Sequence, residues 1–277
     1  MNHQFKKKYG QNFLTDKNML KKIVDSAKIE NKKVIEIGPG KGALTNFLVE
    51  KAEFVFAFEI DKSLKTFLNK IVENNNNIEI IYEDYLKSNL PADEYHIVAN
   101  IPYNITSSIL FKIYEDKNIK TATIMIQKEV ADRIVALPNT KQYNALSVLL
   151  QLSAEIRKII NVDKKMFFPI PKVDSAVIQI TKNNVILTID EVEFIKNCFS
   201  QKRKTILNNL HANYNFTKEN IEKFLIDNNV KPNKRAEALN KEKLLELARG
   251  WKNGSWKSLC KIKFNLRSWE QEIRWLS

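Results

Sequence analysis

The chain has 277 residues, 44% of them hydrophobic and 28% charged, the balance of a globular protein of one large or two ordinary domains, which excludes a disordered or fibrous chain. Lys and Arg number 45 against 32 Asp and Glu, a net charge of +13, and an excess of this size suggests a polyanionic partner, most often nucleic acid. Two cysteines, Cys198 and Cys260, and three scattered histidines exclude a disulfide framework and argue against a zinc enzyme. No apolar run nears the roughly 18 residues that cross a bilayer. The basic N-terminal stretch has no apolar segment behind it, so it does not read as a secretory signal. The expectation is a cytoplasmic protein without metal or membrane.

In chain order, KKVIEI (32–37) predicts a strand and ALTNFLVEKA (43–52) a helix. FVFAFEI (54–60) is a strand, LKTFLNKIVE (64–73) a helix, and IEIIYE (78–83) and YHIVAN (95–100) are further strands. A helix over 105–115 precedes a strand over 122–127, then helices near 128–136 and 144–155. β-branched and aromatic enrichment supports the strands. Such alternation predicts an α/β, Rossmann-like, mostly parallel sheet with helices on both faces. EIRKIINV (155–162) and SAVIQITK (175–182) read as a closing antiparallel pair around MFFPIPKVD, whose prolines exclude a central strand. From about 188 strand signals vanish and helical periodicity takes over. The last 90 residues hold 18 basic and 11 acidic side chains, so the expected boundary at 185 separates a smaller, basic, all-α domain. All four tryptophans fall in an atypical tail over 250–277.

Gly38, Gly40 and Gly42 stand in EIGPGKGALT, a strand running into a glycine-rich turn and a helix. Glycine serves where backbone turns tightly and comes close to a ligand. The spacing is not the dinucleotide G-x-G-x-x-G. Glu36, two residues before Gly38, would repel a pyrophosphate but suit a ligand bearing a sulfonium and an ammonium, which points to S-adenosylmethionine rather than NAD. Glu59 ends the second strand and can accept from ribose hydroxyls; Asp61 competes for that role. Asp84 follows the third strand and can accept from an adenine amine, or merely cap a turn.

The sharpest signal is Asn100-Ile101-Pro102-Tyr103. The Asn100 amide oxygen and the Ile101 carbonyl can accept both protons of an exocyclic base amine, whose lone pair is otherwise delocalised. Pro102 fixes φ, and the Tyr103 ring can stack on the base. Phe167, on the proline loop, offers a second wall for a base lifted out of its stack; read alone, the loop is equally a hydrophobic plug.

Together KKYGQNFLTD, EIGPGKGALT, FEID, EDYL, ANIPYNIT, QKEVADRI, YNALSVLLQ and FFPIPKVDSAVI resemble the successive motifs of the ribosomal RNA adenine N6,N6-dimethyltransferases, nearest the bacterial small-subunit (16S) branch whose loss confers kasugamycin resistance. The resemblance implies an S-adenosylmethionine-binding catalytic domain over 1–185 and a helical RNA-binding domain over 186–277. It implies cofactor-site roles for Asn12, Leu14, Gly38, Gly40, Glu59, Asp84 and Asn100, and a target base against Asn100–Tyr103 and Phe167. Its substrate would be two adjacent adenines near the 3′ end of 16S rRNA, in a small subunit or its precursor, met by a monomer. The family usually has leucine where Ile101 stands. The antibiotic-resistance enzymes acting on large-subunit RNA share the N-x-P-Y core, but Pro39 and Tyr143–Gln151 favour the small-subunit reading. A non-catalytic RNA-binding factor on the same scaffold and a DNA adenine methyltransferase are the competing readings.

Overall fold

The alternating segments assemble into a seven-stranded sheet. The computed structural model describes residues 12–253. Its elements are β1 (Phe13–Leu14), α1 (Lys17–Ala27), β2 (Lys33–Ile37), α2 (Thr45–Val49), β3 (Phe54–Phe58), α3 (Lys65–Asn74), β4 (Ile78–Ile81), β5 (Tyr95–Asn100), α4 (Thr106–Glu115) and β6 (Ile119–Gln127). There follow α5 (Lys128–Ile134), α6 (Ala145–Ser153), β7 (Ala154–Val162), β8 (Phe167–Phe168), β9 (Ser175–Lys182), α7 (Ile189–Cys198), α8 (Ile206–Asn213), α9 (Lys218–Asp227) and α10 (Lys241–Asn253). Gly10, Cys260, Trp256, Trp269 and Trp275 lie outside the described residues.

The main sheet runs β4-β3-β2-β5-β6-β9-β7. β2 pairs in parallel with both β3 and β5, β3 with β4, and β5 with β6, while β9 runs antiparallel to β6. Central strands are almost wholly apolar and buried, for example Val34, Ile35, Ile97, Val98 and Ala99, as a sheet covered on both faces requires. The chain leaves β2 to build one half of the sheet and returns on its other side as β5. That reversal opens a crevice at the carboxyl ends of β2 and β5, the usual ligand position in such sheets.

Three elements, α1, β1 and β8, are not among those predicted from the sequence. α1 buries Leu20, Ile23, Val24 and Ala27 on one face, and the Asp16 side chain caps it by accepting from the Met19 N–H. β1 and β8 form a separate two-residue ladder, Phe13 opposite Phe168 and Leu14 opposite Phe167.

The described residues divide into two compact units, one of 12–131 with Ile156–Lys182 and the other of Asp132–Glu155 with 183–253. The helical unit therefore includes a stretch that the expected boundary at 185 gives to the first domain. The reason is α6, which buries Val148, Leu149, Leu150 and Leu152. It packs on α7 and α10, and the Lys241 Nζ donates to the Gln151 carbonyl at 2.7 Å. Trp251 also moves out of the expected tail: it is buried, with ring centroids of Tyr214, Phe216, Phe224 and Phe194 4.9–5.3 Å away.

Candidate active site

A cavity of about 300 Å³ lies at the crevice, lined by residues of the sheet unit from Asn12 to Ile109. Three loops build most of it. After β2, Gly38, Gly40 and Gly42 all take positive φ (71°, 61° and 83°). A Cβ on Gly40 would stand 2.5 Å from the Phe13 ring and one on Gly42 2.1 Å from Cδ1 at the movable tip of Ile71; the positive φ favours glycine at both, and at Gly40 the ring adds to it. A Cβ on Gly38 would meet nothing within 4 Å; that residue borders the cavity, and the added atom would occupy space open to a ligand.

The acids separate clearly. Glu59 lines the cavity and is buried. Its carboxylate accepts from the Gly40 N–H at 3.1 Å and the Asp61 N–H at 2.7 Å, which ties the end of β3 to the glycine turn. Burial raises its pKa and those two N–H bonds oppose the rise. Asp61 is the cap of the next turn, accepting from the Ser63 N–H and hydroxyl. Asp84 caps the following turn by accepting from the Leu86 N–H at 3.0 Å, and it also lines the cavity. Lys112 steadies its turn by donating to the Tyr85 and Ser88 carbonyls.

Asn100 ends β5. Its Nδ2 donates to the Asn12 carbonyl at 3.2 Å, which holds the amide and leaves its oxygen as the acceptor. Asn12 and Leu14 border the same cavity. The Ile101 N–H donates to the Met125 carbonyl at 3.1 Å, and Pro102 has φ −57° and ψ 130°, turning the chain into the 3-10 turn that begins at Tyr103. All four residues of the motif line the cavity. Burial raises the Tyr103 phenol pKa.

Phe167 is not brought there. It is 3% exposed and sits in the core with Leu14, Val162 and Val177. Strand alternation explains this: in β8 one ring faces the core, and its neighbour Phe168, 61% exposed, faces out. Phe13, inside the Q-N-F-L motif, also lines the cavity, which the sequence analysis does not predict. Its ring lies on Gly40, and the Lys41 ammonium sits 5.6 Å from the ring centroid.

Glu36 is 1% exposed and borders the cavity, and its Oε2 has no hydrogen-bond partner. A carboxyl oxygen left without a partner and buried at a ligand wall suits a ligand that brings a cation. Burial pushes its pKa up to about 8, with the charge of Glu59 adding to the effect. A carboxyl raised in this way subtracts stability as pH climbs from its ordinary value toward 8. Glu36→Gln is therefore expected to melt higher than the parent at pH 8 and level with it near pH 4, while losing affinity for a cationic ligand. Melting curves across that range check this, and parallel pH profiles would exclude it. Among the described residues no group of three His, Cys, Asp or Glu could hold a metal ion, and no helix is long and apolar enough to cross a membrane.

A family model described as ribosomal RNA adenine dimethylase matches residues 2–252. A ribosomal RNA small subunit methyltransferase A from Aster yellows witches'-broom phytoplasma (strain AYWB) is 51% identical over 263 residues, covering 91% of this chain and 97% of that protein. A protein of the same name from Bacillus licheniformis is 41% identical, covering 88% and 90%. Among solved structures, a dimethyladenosine transferase from Plasmodium falciparum has a TM-score of 0.76 at 30% identity, covering 86% of this chain and 97% of that one. The 23S rRNA methyltransferase ErmE has a TM-score of 0.69 at 29% identity, covering 86% and 98%.

Proposed function

The chain belongs to the ribosomal RNA adenine dimethylase family, and on that premise we propose that it dimethylates the N6 amines of two adjacent adenines near the 3′ end of 16S rRNA. The substrate is the small subunit or its precursor, in the cytoplasm, and the protein acts as a monomer. S-adenosylmethionine supplies the methyl group. The observation that supports this most is that one cavity is bordered at once by the glycine turn, by Glu36, Glu59 and Asp84, and by Asn100–Tyr103. A cofactor corner and a target-amine corner are thereby adjacent.

In this reading Gly38, Gly40, Glu59 and Asp84 hold the adenosine portion, with Asn12 and Leu14 closing the cavity and Glu36 facing the cationic end. The Asn100 oxygen and the Ile101 carbonyl accept the N6 protons, which localises the nitrogen lone pair. Pro102 holds that carbonyl in place, and Tyr103 supports the base. Only the backbone of Ile101 is used, so isoleucine in place of leucine is tolerated. The ring that the proline loop exposes is Phe168, not Phe167, and in this reading Phe168 is the one available to stack on the base from the other side.

The test is transfer from labelled cofactor to small-subunit particles, large-subunit particles and duplex DNA in parallel. Label confined to small-subunit dimethyladenine is expected. Label on the large subunit would move the chain to the antibiotic-resistance branch, and no label on any would favour the non-catalytic reading.

Affinity should come from the helical unit. Lys202, Arg203, Lys204, Lys234 and Arg235 are exposed. The Ile206 N–H donates to the Lys234 carbonyl at 2.8 Å, which brings the two basic stretches side by side. Charge reversal of all five should weaken particle binding steeply and flatten its salt dependence, each lost phosphate contact reducing the logarithmic slope by about 0.7–0.9. An unchanged slope would place the docking surface elsewhere.

A further inference from the structure

We infer that Ser175 is a positioning residue for methyl transfer: its hydroxyl anchors the tip of the Tyr103 ring at the target-amine corner. The inference rests on the reading of Asn100–Tyr103 given above. Ser175 opens β9, is wholly buried, and stands opposite Gln127 of β6. The residues that follow it, Ala176, Val177 and Ile178, are buried and apolar, so the serine is the polar exception at its end of the strand. Its Oγ lies 2.8 Å from the Tyr103 hydroxyl. A buried hydroxyl without a partner is costly, and each of these two satisfies the other across 72 residues of sequence.

The tether acts at the tip of a ring whose base is already held. Tyr103 follows Pro102 directly and starts a 3-10 turn, so its backbone is set, but χ1 and χ2 still need to be fixed. A bond at the phenolic oxygen pins the ring tip and so fixes χ1; that oxygen lies on the χ2 axis, so χ2 is left to the packing around the ring. The anchor is itself held: the neighbouring Asp174 accepts from the Lys128 N–H at 3.0 Å through its carbonyl and from the Lys164 N–H at 3.1 Å through its carboxylate. The same pair joins the N-x-P-Y turn to the end of the proline loop, so both sides of the target corner share one fixed point. Tyr103→Phe, which keeps the ring, loses this point.

The experiment is a double-mutant cycle on small-subunit particles with Ser175→Ala, Tyr103→Phe and the pair. It reads single-turnover rate, the ratio of monomethyl to dimethyl adenine, cofactor affinity and melting temperature. Each single variant should slow transfer by about 3- to 10-fold, the reach of one hydrogen bond, with cofactor affinity unchanged. Monomethyladenine should accumulate, because the second transfer needs the substituted amine presented again. The double variant should be no slower than either single one. Effects that multiply in the double variant, or Ser175→Ala at the parental rate, would overturn the inference. Should Ser175→Ala fail to fold, Tyr103→Phe alone decides: a parental rate and product ratio overturn it, and monomethyl accumulation upholds it. A parent protein that puts no label on small-subunit particles would instead sink the functional reading, which is a different result from active variants of an active parent.

Discussion

Asn100→Ala is expected to lower methyl transfer by about 10²–10³-fold, the usual cost of one oriented acceptor or donor at a reacting centre, with particle binding nearly intact. The expectation has two supports. The amide is held in place by its bond to the Asn12 carbonyl, so its oxygen is presented without reorganisation. The residue also stands at the end of β5 beside the glycine turn after β2, where the sheet order reverses. Affinity for RNA is expected from the exposed cations of the helical unit, which the substitution does not touch. A purely structural Asn100 would show a different pattern: loss of the Asn12 tether would weaken cofactor binding and leave the rate at saturating cofactor unchanged. Single-turnover rates at saturating cofactor, set beside calorimetric cofactor affinity, separate the two outcomes. Near-parental turnover at saturation would remove the proton-accepting role from Asn100.

The parts of the site that the sequence disclosed are those whose chemistry restricts residue type. A positive φ at Gly40 and Gly42, with the Phe13 ring against Gly40, favours glycine, and a proline after the Asn100-Ile101 pair marks a rigid turn wherever it is read. Strand runs such as 95–100 and 175–182 were equally legible, because continuous apolar, β-branched stretches have few alternatives. What stayed hidden depends on partners distant in the chain. Which of Phe167 and Phe168 faces the core is set by the phase of β8 against β1, and a two-residue ladder carries no period. The Tyr103–Ser175 pair and the union of 132–155 with the C-terminal helices are tertiary facts of the same kind. α1 is different: Asp16 as cap and Leu20, Ile23, Val24 and Ala27 at helical spacing stand in the sequence itself, so this helix needs no distant partner to be legible.

Phe167→Ala and Phe168→Ala should separate stability from catalysis. Phe167 is 3% exposed in the core of the sheet unit, and truncating a buried phenylalanine typically costs about 3–5 kcal/mol. That loss lowers the melting temperature by on the order of 10 °C for a domain of this size. Phe168 is 61% exposed, so its truncation should leave stability within about 0.5 kcal/mol. If its ring faces a flipped adenine across from Tyr103, losing that stack costs about 1–3 kcal/mol, or about 5- to 150-fold in transfer. Tyr103→Ala should cost the same or more, since it removes the stack and the Ser175 tether together. Measured at a temperature where every variant is folded, Phe167→Ala should then transfer methyl groups close to the parental rate. The opposite result, a well-folded Phe167→Ala that makes no dimethyladenine beside an active Phe168→Ala, would mean that the Phe167 ring leaves the core when RNA binds. In that case the two-residue ladder is the element that opens, because Leu14 of β1 borders the cavity and pairs with Phe167 of β8, so movement of one releases the other.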